Sequence, residues 1–595
     1  MRPRGNEAVT ATRCRPSQAW RGPAAGRLSA SLLWIVSIAI ILALCLMIRT
    51  TMAQEDSSGH FSITGQLVDT QGQPIAGAEI VLSPAADGHE PLAVAESQEN
   101  GTWALELAEA PQRPVMVVIE RPHFATISFA LDGEQMAQLA ANQTISLGDV
   151  ELARRMTAGF WVATIIFIAM LALIALERLH STVAALVGLS AVFLVTFIGG
   201  QIHPDLYILD FERALQYINW EVIFLLIGMM IVIAIIEHTG IFQWTAFQAY
   251  RLSGGRSWLL VLILIAITAV ASALLDNFTT MLLMTPISLQ IGLALGINPL
   301  ALIIPEVLAS NVGGISTLIG TPTNILIGAY AGIGFTDFLV NQTIGIIVAL
   351  ALMSAFVLYH YRDEWRKSSG GISPALYERL ERQAAIENPG DLYRAAFVFF
   401  LVLIGFGVGE RFHVVPAVPA LIGATVLLVW LKPDVQGMIK AVDWTTLVFF
   451  MALFMVVGAI QEVGLISLVA RQIAVLIGDS LVLAIVVIVF GSGLLSTLVA
   501  NIPLAASLLP VVEYLSGTVP GANSKVLYYA LSMGAAMGGN GTLIGAEANL
   551  VTAGITVQAG TQINFNEFFK IGMPVTIITL LVGTAWLLIR FVLLS

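Results

Sequence analysis

Between two long apolar runs lies Ser310-Asn-Val-Gly-Gly-Ile-Ser-Thr-Leu-Ile-Gly-Thr-Pro-Thr-Asn324, a stretch with three glycines, one proline and seven hydroxyl or amide side chains. Such a composition breaks a helix, and each backbone group left unpaired in hydrocarbon costs several kcal/mol. The segment is therefore tolerable only where protein or water satisfies it. Gly538-Gly-Asn-Gly-Thr-Leu-Ile-Gly-Ala-Glu-Ala-Asn549 repeats the pattern without gaps at an offset of 225 residues, matching Gly-Gly, Thr-Leu-Ile-Gly and the final Asn. Paired interrupted helices in corresponding halves are the sequence mark of a secondary transporter's binding site.

The surroundings agree. The chain has 595 residues, 57% hydrophobic and 11% charged, with mean hydropathy +0.85, which places it in the membrane class. Apolar runs fall into a first set (160–176, 182–198, 221–236, 257–275, 281–297, 300–312, 342–359) and a second (395–409, 414–431, 445–460, 481–500, 502–518, 526–537, 571–594). Trp220 matches Trp444, Gly240 matches Gly464 and Asn277 matches Asn501, all at an offset of 224. Chance likeness between apolar sequences scatters Leu and Ile matches but does not align Trp, Asn and Gly-Gly. The sets are read as repeat 1 (156–362) and repeat 2 (394–595), joined by a linker (363–393). The expected fold is an all-α polytopic membrane protein with two inverted repeats, re-entrant hairpins and broken helices, plus a small extracytoplasmic β-sandwich.

That β-domain is read from residues 59–152, where period-two runs such as Phe61–Val68 and Ala78–Leu82 are punctuated by Asp69-Thr-Gln-Gly72 and Pro84-Ala-Ala-Asp-Gly88. Ahead of it, residues 1–30 carry six arginines against Glu7 alone, and Leu32–Ile48 is apolar. The basic tail places the N-terminus in the cytoplasm. Residues 31–53 are either a retained transmembrane anchor, the reading taken here, or a signal peptide ending at Thr51-Met52-Ala53. Counting crossings from an external β-domain puts the linker and the residues flanking it inside, where Arg362, Arg366, Lys367, Arg379, Arg382 and Arg394 satisfy the positive-inside rule. An odd number of net crossings per half inverts the second copy. The expected location is a bacterial inner membrane, with the β-domain periplasmic.

Several classes are excluded. A net charge of −11 offers no basic field for nucleic acid. Cys14 and Cys45 make no credible disulfide or metal site, and no His/Cys/Asp spacing suggests an enzyme centre. Without a Gly-x-x-x-x-Gly-Lys-[Ser/Thr] motif, ATP-driven pumping is also excluded.

Polar groups collect at four places: Asp276-Asn277-Phe278-Thr279-Thr280, its counterpart Ala500-Asn501-Ile502-Pro503, and the two interrupted stretches. Asp276 is the most informative, because an ionisable group deep in a membrane segment costs at least ~2.5 kcal/mol and is by default functional. The plain alternative is that it caps a helix. Its counterpart is Ala500, an asymmetry that capping does not need. Glu547 stands where the first half has Pro322, as an ion ligand or titrating group, or as an acid paired with backbone amides. Glu306 is expected to be half-solvated, Glu237 interfacial, and Asp210-Phe-Glu-Arg213 a solvated turn.

Leu275-Asp-Asn-Phe-Thr-Thr280, Glu306-Val-Leu-Ala-Ser-Asn-Val-Gly-Gly314, Gly320-Thr-Pro-Thr-Asn324 and Asn540–Asn549 resemble the ArsB/NhaD group of the ion transporter superfamily, in the pattern of bacterial relatives of the melanosomal P protein. The likeness spans about 156–595 and includes Asn566-Glu-Phe-Phe569. It implies a scaffold part and a transport part in each half, two hairpins, two broken helices, a homodimer, and elevator-like or rocking alternating access. Gly65-x-Leu-Val-Asp69-x-x-Gly72-x-Pro74, with Asn100-Gly-Thr-Trp103, resembles carboxypeptidase-regulatory-like, prealbumin-type domains; that implies a fold and no activity. Sodium–dicarboxylate members of the superfamily carry Ser-Asn-Thr at both hairpin tips, and this chain carries it at neither.

The expected function is secondary active transport by alternating access, as Na⁺/H⁺ antiport. The alternatives are a permease for citrate, dicarboxylate, another anion or arsenite on the same scaffold, and, from another class, a channel or membrane sensor. The expected substrate set is Asp276, Asn277, Thr279, Thr280, Asn311, Gly320, Thr321, Pro322, Thr323, Asn324, Asn501, Asn540, Thr542, Glu547 and Asn549. Sodium is expected at Asp276, Asn277, Asn324, Asn501 and Asn549. No cofactor is expected beyond the coupling ion, Na⁺ and/or H⁺, and the partners are the bilayer, a small ion or organic anion, and a second copy.

Overall fold

The computed structural model describes residues 61–594, apart from positions 71, 85–90, 110, 112, 143, 177, 368–376, 379–380, 383 and 387. The basic tail, the anchor or signal run and both cysteines lie outside the described residues.

Alternation in the N-terminal segment buries every second side chain: Ile63, Leu67, Ile80, Leu82, Leu105, Val117 and Ile119 are fully enclosed. The strands are β1 (Phe61–Asp69), β2 (Glu79–Pro84), β3 (Ala93–Glu96), β4 (Thr102–Leu107), β5 (Val115–Glu120), β6 (Ile127–Ala130) and β7 (Thr144–Leu152), with helix α1 (Gly133–Asn142) before the last. They form a three-stranded sheet, β4-β1-β7, and a four-stranded sheet, β3-β2-β5-β6. β1 pairs antiparallel with β4 and parallel with β7.

The rest is helical, because the apolar runs are long and a helix satisfies its own backbone in lipid. Among the described residues, nine helices are long and apolar enough to cross a membrane. The first half contains α2 (Ala158–Ala175), α3 (Ser181–Leu194), α4 (Phe211–Gln216), α5 (Trp220–Glu237), α6 (Ile241–Ser253), α7 (Ser257–Leu274), α8 (Asn277–Leu295), α9 (Leu300–Gly313), α10 (Pro322–Ala331) and α11 (Phe335–His360). The second contains α12 (Pro389–Gly409), α13 (Ala417–Leu431), α14 (Trp444–Val463), α15 (Leu465–Ile477), α16 (Leu481–Ser496), α17 (Asn501–Thr518), α18 (Val526–Gly538), α19 (Glu547–Gln558) and α20 (Phe565–Leu588).

Packing between the halves is reciprocal. α3 packs on α14 as α13 packs on α5, and hairpin helix α8 packs on α19 as α17 packs on α10. Each hairpin thus packs on the broken helix of the other half as well as on that of its own, which brings four distant polar stretches together. At the first break, α9 ends in a 3-10 turn, Gly314–Ser316, and Thr321 caps α10 by accepting from the Asn324 N–H. A Cβ on Gly320 would lie 2.3 Å from the Gly314 carbonyl oxygen and 2.7 Å from that of Ser272, so only glycine fits between these backbones.

The β-domain docks on the helical part, and one sequence expectation is corrected there. Arg213, read as part of a solvated turn, lies on α4, and its Nε donates to the buried Glu462 carboxylate at 2.9 Å. Asp210 caps that short helix by accepting from the Arg213 N–H at 2.7 Å.

Candidate functional site

Asp276 caps α8: one carboxylate oxygen accepts from the Thr279 N–H and the other from the Thr279 hydroxyl, both at 2.7 Å. Capping and exposure to a site are not exclusive, for the same carboxylate lines a cavity of about 130 Å³. Thr279, Pro322 and Glu547 line it as well, as do three groups outside the expected set: Glu237, Asp443 and Thr446. Glu237 ends α5, half-buried against this cavity. Glu547 opens α19 and lines the same wall as Asp276 and Asp443. Among the described residues, no Lys, Arg or His lines this cavity. Carboxylates lining one small cavity repel one another unless a cation or proton sits between them, although no three of them stand close enough together to form a metal-binding group.

Asp443 is the residue that sequence reasoning missed. It caps α14, accepting from the backbone and hydroxyl groups of Thr445 and Thr446. Burial pushes its carboxyl up, but these hydrogen bonds outweigh burial and hold it below the usual carboxylate range. A signal existed: Asp443 aligns at the 224-residue offset with Asn219, the cap of α5, so the repeat places a neutral cap in one half and a charged one in the other.

The asparagines form a separate, buried layer. Asn277 Nδ2 donates to Asn311 Oδ1 at 2.9 Å, and Asn311 Nδ2 donates to Asn540 Oδ1 at 2.8 Å and Asn549 Oδ1 at 2.9 Å. The amide of Asn549 donates to the Gly539 and Thr542 carbonyls, and that of Asn324 to the Ile315 and Thr317 carbonyls. These two residues therefore close the loose backbone of the breaks. Asn324 Oδ1 accepts from Ser532, away from the other asparagines. The structure thus does not gather the five expected sodium ligands around one point. Asp276 faces the cavity, Asn277 and Asn549 join the amide layer, and Asn324 belongs to its own break. Asn501 is buried at the start of α17. Thr542 donates to the Thr497 carbonyl at 2.6 Å, and the hydroxyls of Thr280 and Thr323 are buried with no hydrogen-bond partner among the described residues. Among the described residues, no group of three or more His, Cys, Asp or Glu could hold a metal ion.

Glu306 corrects another expectation. It is fully enclosed rather than half-solvated, because α8, α11 and α18 pack around α9. The Ser288 hydroxyl lies 2.7 and 2.9 Å from its two oxygens.

Residues 171–534 match the family CitMHS, described as citrate transporter. The 46 kDa membrane protein of Mycobacterium leprae is 34% identical over 435 residues, covering 73% of this chain and 99% of that protein. The human P protein is 31% identical over 630 residues, covering 90% of this chain and 73% of its own. Among solved structures, the YdaH transporter of Alcanivorax borkumensis aligns with a TM-score of 0.47 at 14% identity, over 73% of this chain and 98% of that one.

Proposed function

The chain belongs to the CitMHS citrate-transporter family, and from that premise we propose that it exchanges Na⁺ for H⁺ across a bacterial inner membrane, with Asp276 as the group that holds each ion in turn. It is a multi-pass membrane protein and a secondary transporter of the CitMHS and P-protein type, not an enzyme. The observation carrying the cation reading is the cavity that Asp276, Asp443 and Glu547 line together, with no Lys, Arg or His among its described lining residues; His180 stands on the adjoining cavity that Asp443 and Glu547 also line. A polyanion such as citrate entering there alone would meet repulsion from every charged wall. Asp443 supplies a standing negative charge, and Asp276 and Glu547 trade a proton against a sodium ion. The amide layer behind them keeps hairpin tip and broken helices in register. In the same reading the β-domain is periplasmic, the linker cytoplasmic and the working unit a homodimer.

Flux in proteoliposomes tests the proposal. An imposed Na⁺ gradient is expected to drive proton movement followed by a pH-sensitive dye, and Asp276→Asn is expected to abolish it. Proton signals insensitive to Na⁺, or wild-type exchange by Asp276→Asn, refute it. Uptake of labelled citrate, succinate or arsenite in the same vesicles would support the permease alternatives.

A further inference from the structure

Helix α14 connects two places. Asp443 stands before its first residue, in the acidic cavity, and Glu462 is its penultimate residue, beneath the β-domain. Its 20 residues separate the two by about 30 Å at 1.5 Å per residue. Beyond Glu462 the chain turns at Gly464, in the left-handed region with φ 92° and ψ 12°, and continues directly into α15. α15 packs on α17, the hairpin helix that begins with Asn501. Gly464 is therefore the joint between α14, which packs on α2 and α3, and the hairpin of the second repeat.

The β-domain grips this joint. Arg121, following β5, donates from Nη2 to Glu462 Oε2 at 2.7 Å. Arg154, following β7, donates from Nη1 to the Glu462 carbonyl oxygen at 3.0 Å, and a Cβ on Gly464 would lie 2.7 Å from that Nη1. Arg213 and Tyr217, on the membrane side, complete the coordination of Oε1 at 2.9 and 2.8 Å. The side chains of Glu462 and Arg121 are only 7% and 11% exposed. Charged hydrogen bonds so enclosed are strong and costly to leave half-made. At the equivalent joint in the first repeat, Gly240, no such grip is present among the described residues: His238 stands in the place of Glu462, exposed, and its Nδ1 pairs with the Ala234 carbonyl of its own helix.

We propose that the β-domain is a latch on the α14–α15 joint. Arg121 and Arg154 hold Glu462 and the backbone beside Gly464 in the conformation seen here, and the latch releases when α15 and its hairpin move to their alternate position. One of two repeat-related joints is thereby restrained, which biases the transport cycle toward the state with the acidic cavity at the far end of α14. Cavities of about 490 and 400 Å³ flank the latch, both lined by Arg121, Arg213 and Glu462, and give water a route to compete for these groups during release.

The test uses the full chain in native membranes with Cys14→Ser, Cys45→Ser and a reporter, Ala441→Cys, at an exposed position lining the acidic cavity. The rate of its modification by a membrane-impermeant maleimide, applied from the cavity side, reads how often that state is populated. Arg121→Ala is expected to lower the rate about threefold to tenfold, and Arg121→Lys, which keeps the charge, to stay near the unsubstituted chain. Glu462→Gln keeps the shape, loses the charge and is expected to act as Arg121→Ala does. An unchanged rate in both Arg121→Ala and Glu462→Gln overturns the latch. So does a loss equally deep in Arg121→Lys, or failure of Arg121→Ala and Glu462→Gln to assemble, which would make the contact a folding element. The readout needs no transported ion, so failure of Na⁺/H⁺ exchange leaves this result standing.

Discussion

At the scale of single residues, the acids divide by what surrounds them. Asp443 is hydrogen-bonded by two threonines that keep it charged, so it attracts a cation without needing to release a proton. Asp443→Asn keeps most of the capping geometry and removes the charge; its expected effect is a rise of about five- to tenfold in KM for Na⁺ with a smaller change in maximal flux, measured as exchange against Na⁺ concentration. Glu306 differs, for it touches Ser288 deep among α8, α9 and α11 and lines none of the described cavity's wall. Glu306→Gln preserves shape and hydrogen bond and is expected to fold normally. Glu306→Ala leaves a void and an unpaired hydroxyl, with an expected loss of about 2–4 kcal/mol in detergent-solubilised unfolding. Asp276 and Glu547 were legible in the sequence because a charge inside an apolar run has no ordinary reason to be there. Asp443 was not, because it stands at the edge of its run, where a capping acid is common.

Among the elements, the broken helices are held by asparagine amides rather than left open for ligands. Asn324 Nδ2 donates to two carbonyls, and Asn549 does the same in the other half. Asn324→Asp separates the expected role of this residue as a cation ligand from the backbone tie it makes in the structure. A cation ligand would be strengthened by the extra charge, whereas a backbone tie would set an acceptor against two acceptors. The expected outcome is a loss of thermal stability worth about 2–3 kcal/mol and no gain in Na⁺ affinity, followed by melting curves with and without Na⁺. Gly320→Ala forces a methyl group against two carbonyl oxygens, at the 2.3 and 2.7 Å noted above, and is expected to destabilise by about 1–3 kcal/mol in the same measurement. The breaks were readable because glycine, proline and amides in hydrocarbon demand explanation. Which carbonyl each amide would satisfy depended on how the turn closed.

For the whole molecule, the docking of the β-domain is the larger consequence. His123 sits at that junction, 6% exposed, with Nε2 3.0 Å from the Ile208 carbonyl and Nδ1 3.4 Å from the Thr157 hydroxyl. Burial holds its pKa below the ordinary 6.5, with Arg121 and Arg154 adding to the effect and the Ile208 carbonyl and Glu462 opposing it. A base whose folded pKa is depressed contributes stability that is present above 6.5 and lost as pH falls through the folded value. Acidification below about 6.5 is therefore expected to loosen the junction, seen as faster proteolytic release of the β-domain, and His123→Gln is expected to flatten that dependence. Hydropathy, the 224–225-residue repeat and the period-two runs are local properties, so the sequence by itself determined a duplicated helical membrane protein with two broken helices and a β-domain. Only the tertiary structure decided that Asp276, Asp443 and Glu547 share one cavity and that Arg121 meets Glu462, 341 residues away. Such meetings follow from the reciprocal packing of the two halves and from how the β-domain lands on them, and no pattern within a single run records which distant charges will end up face to face.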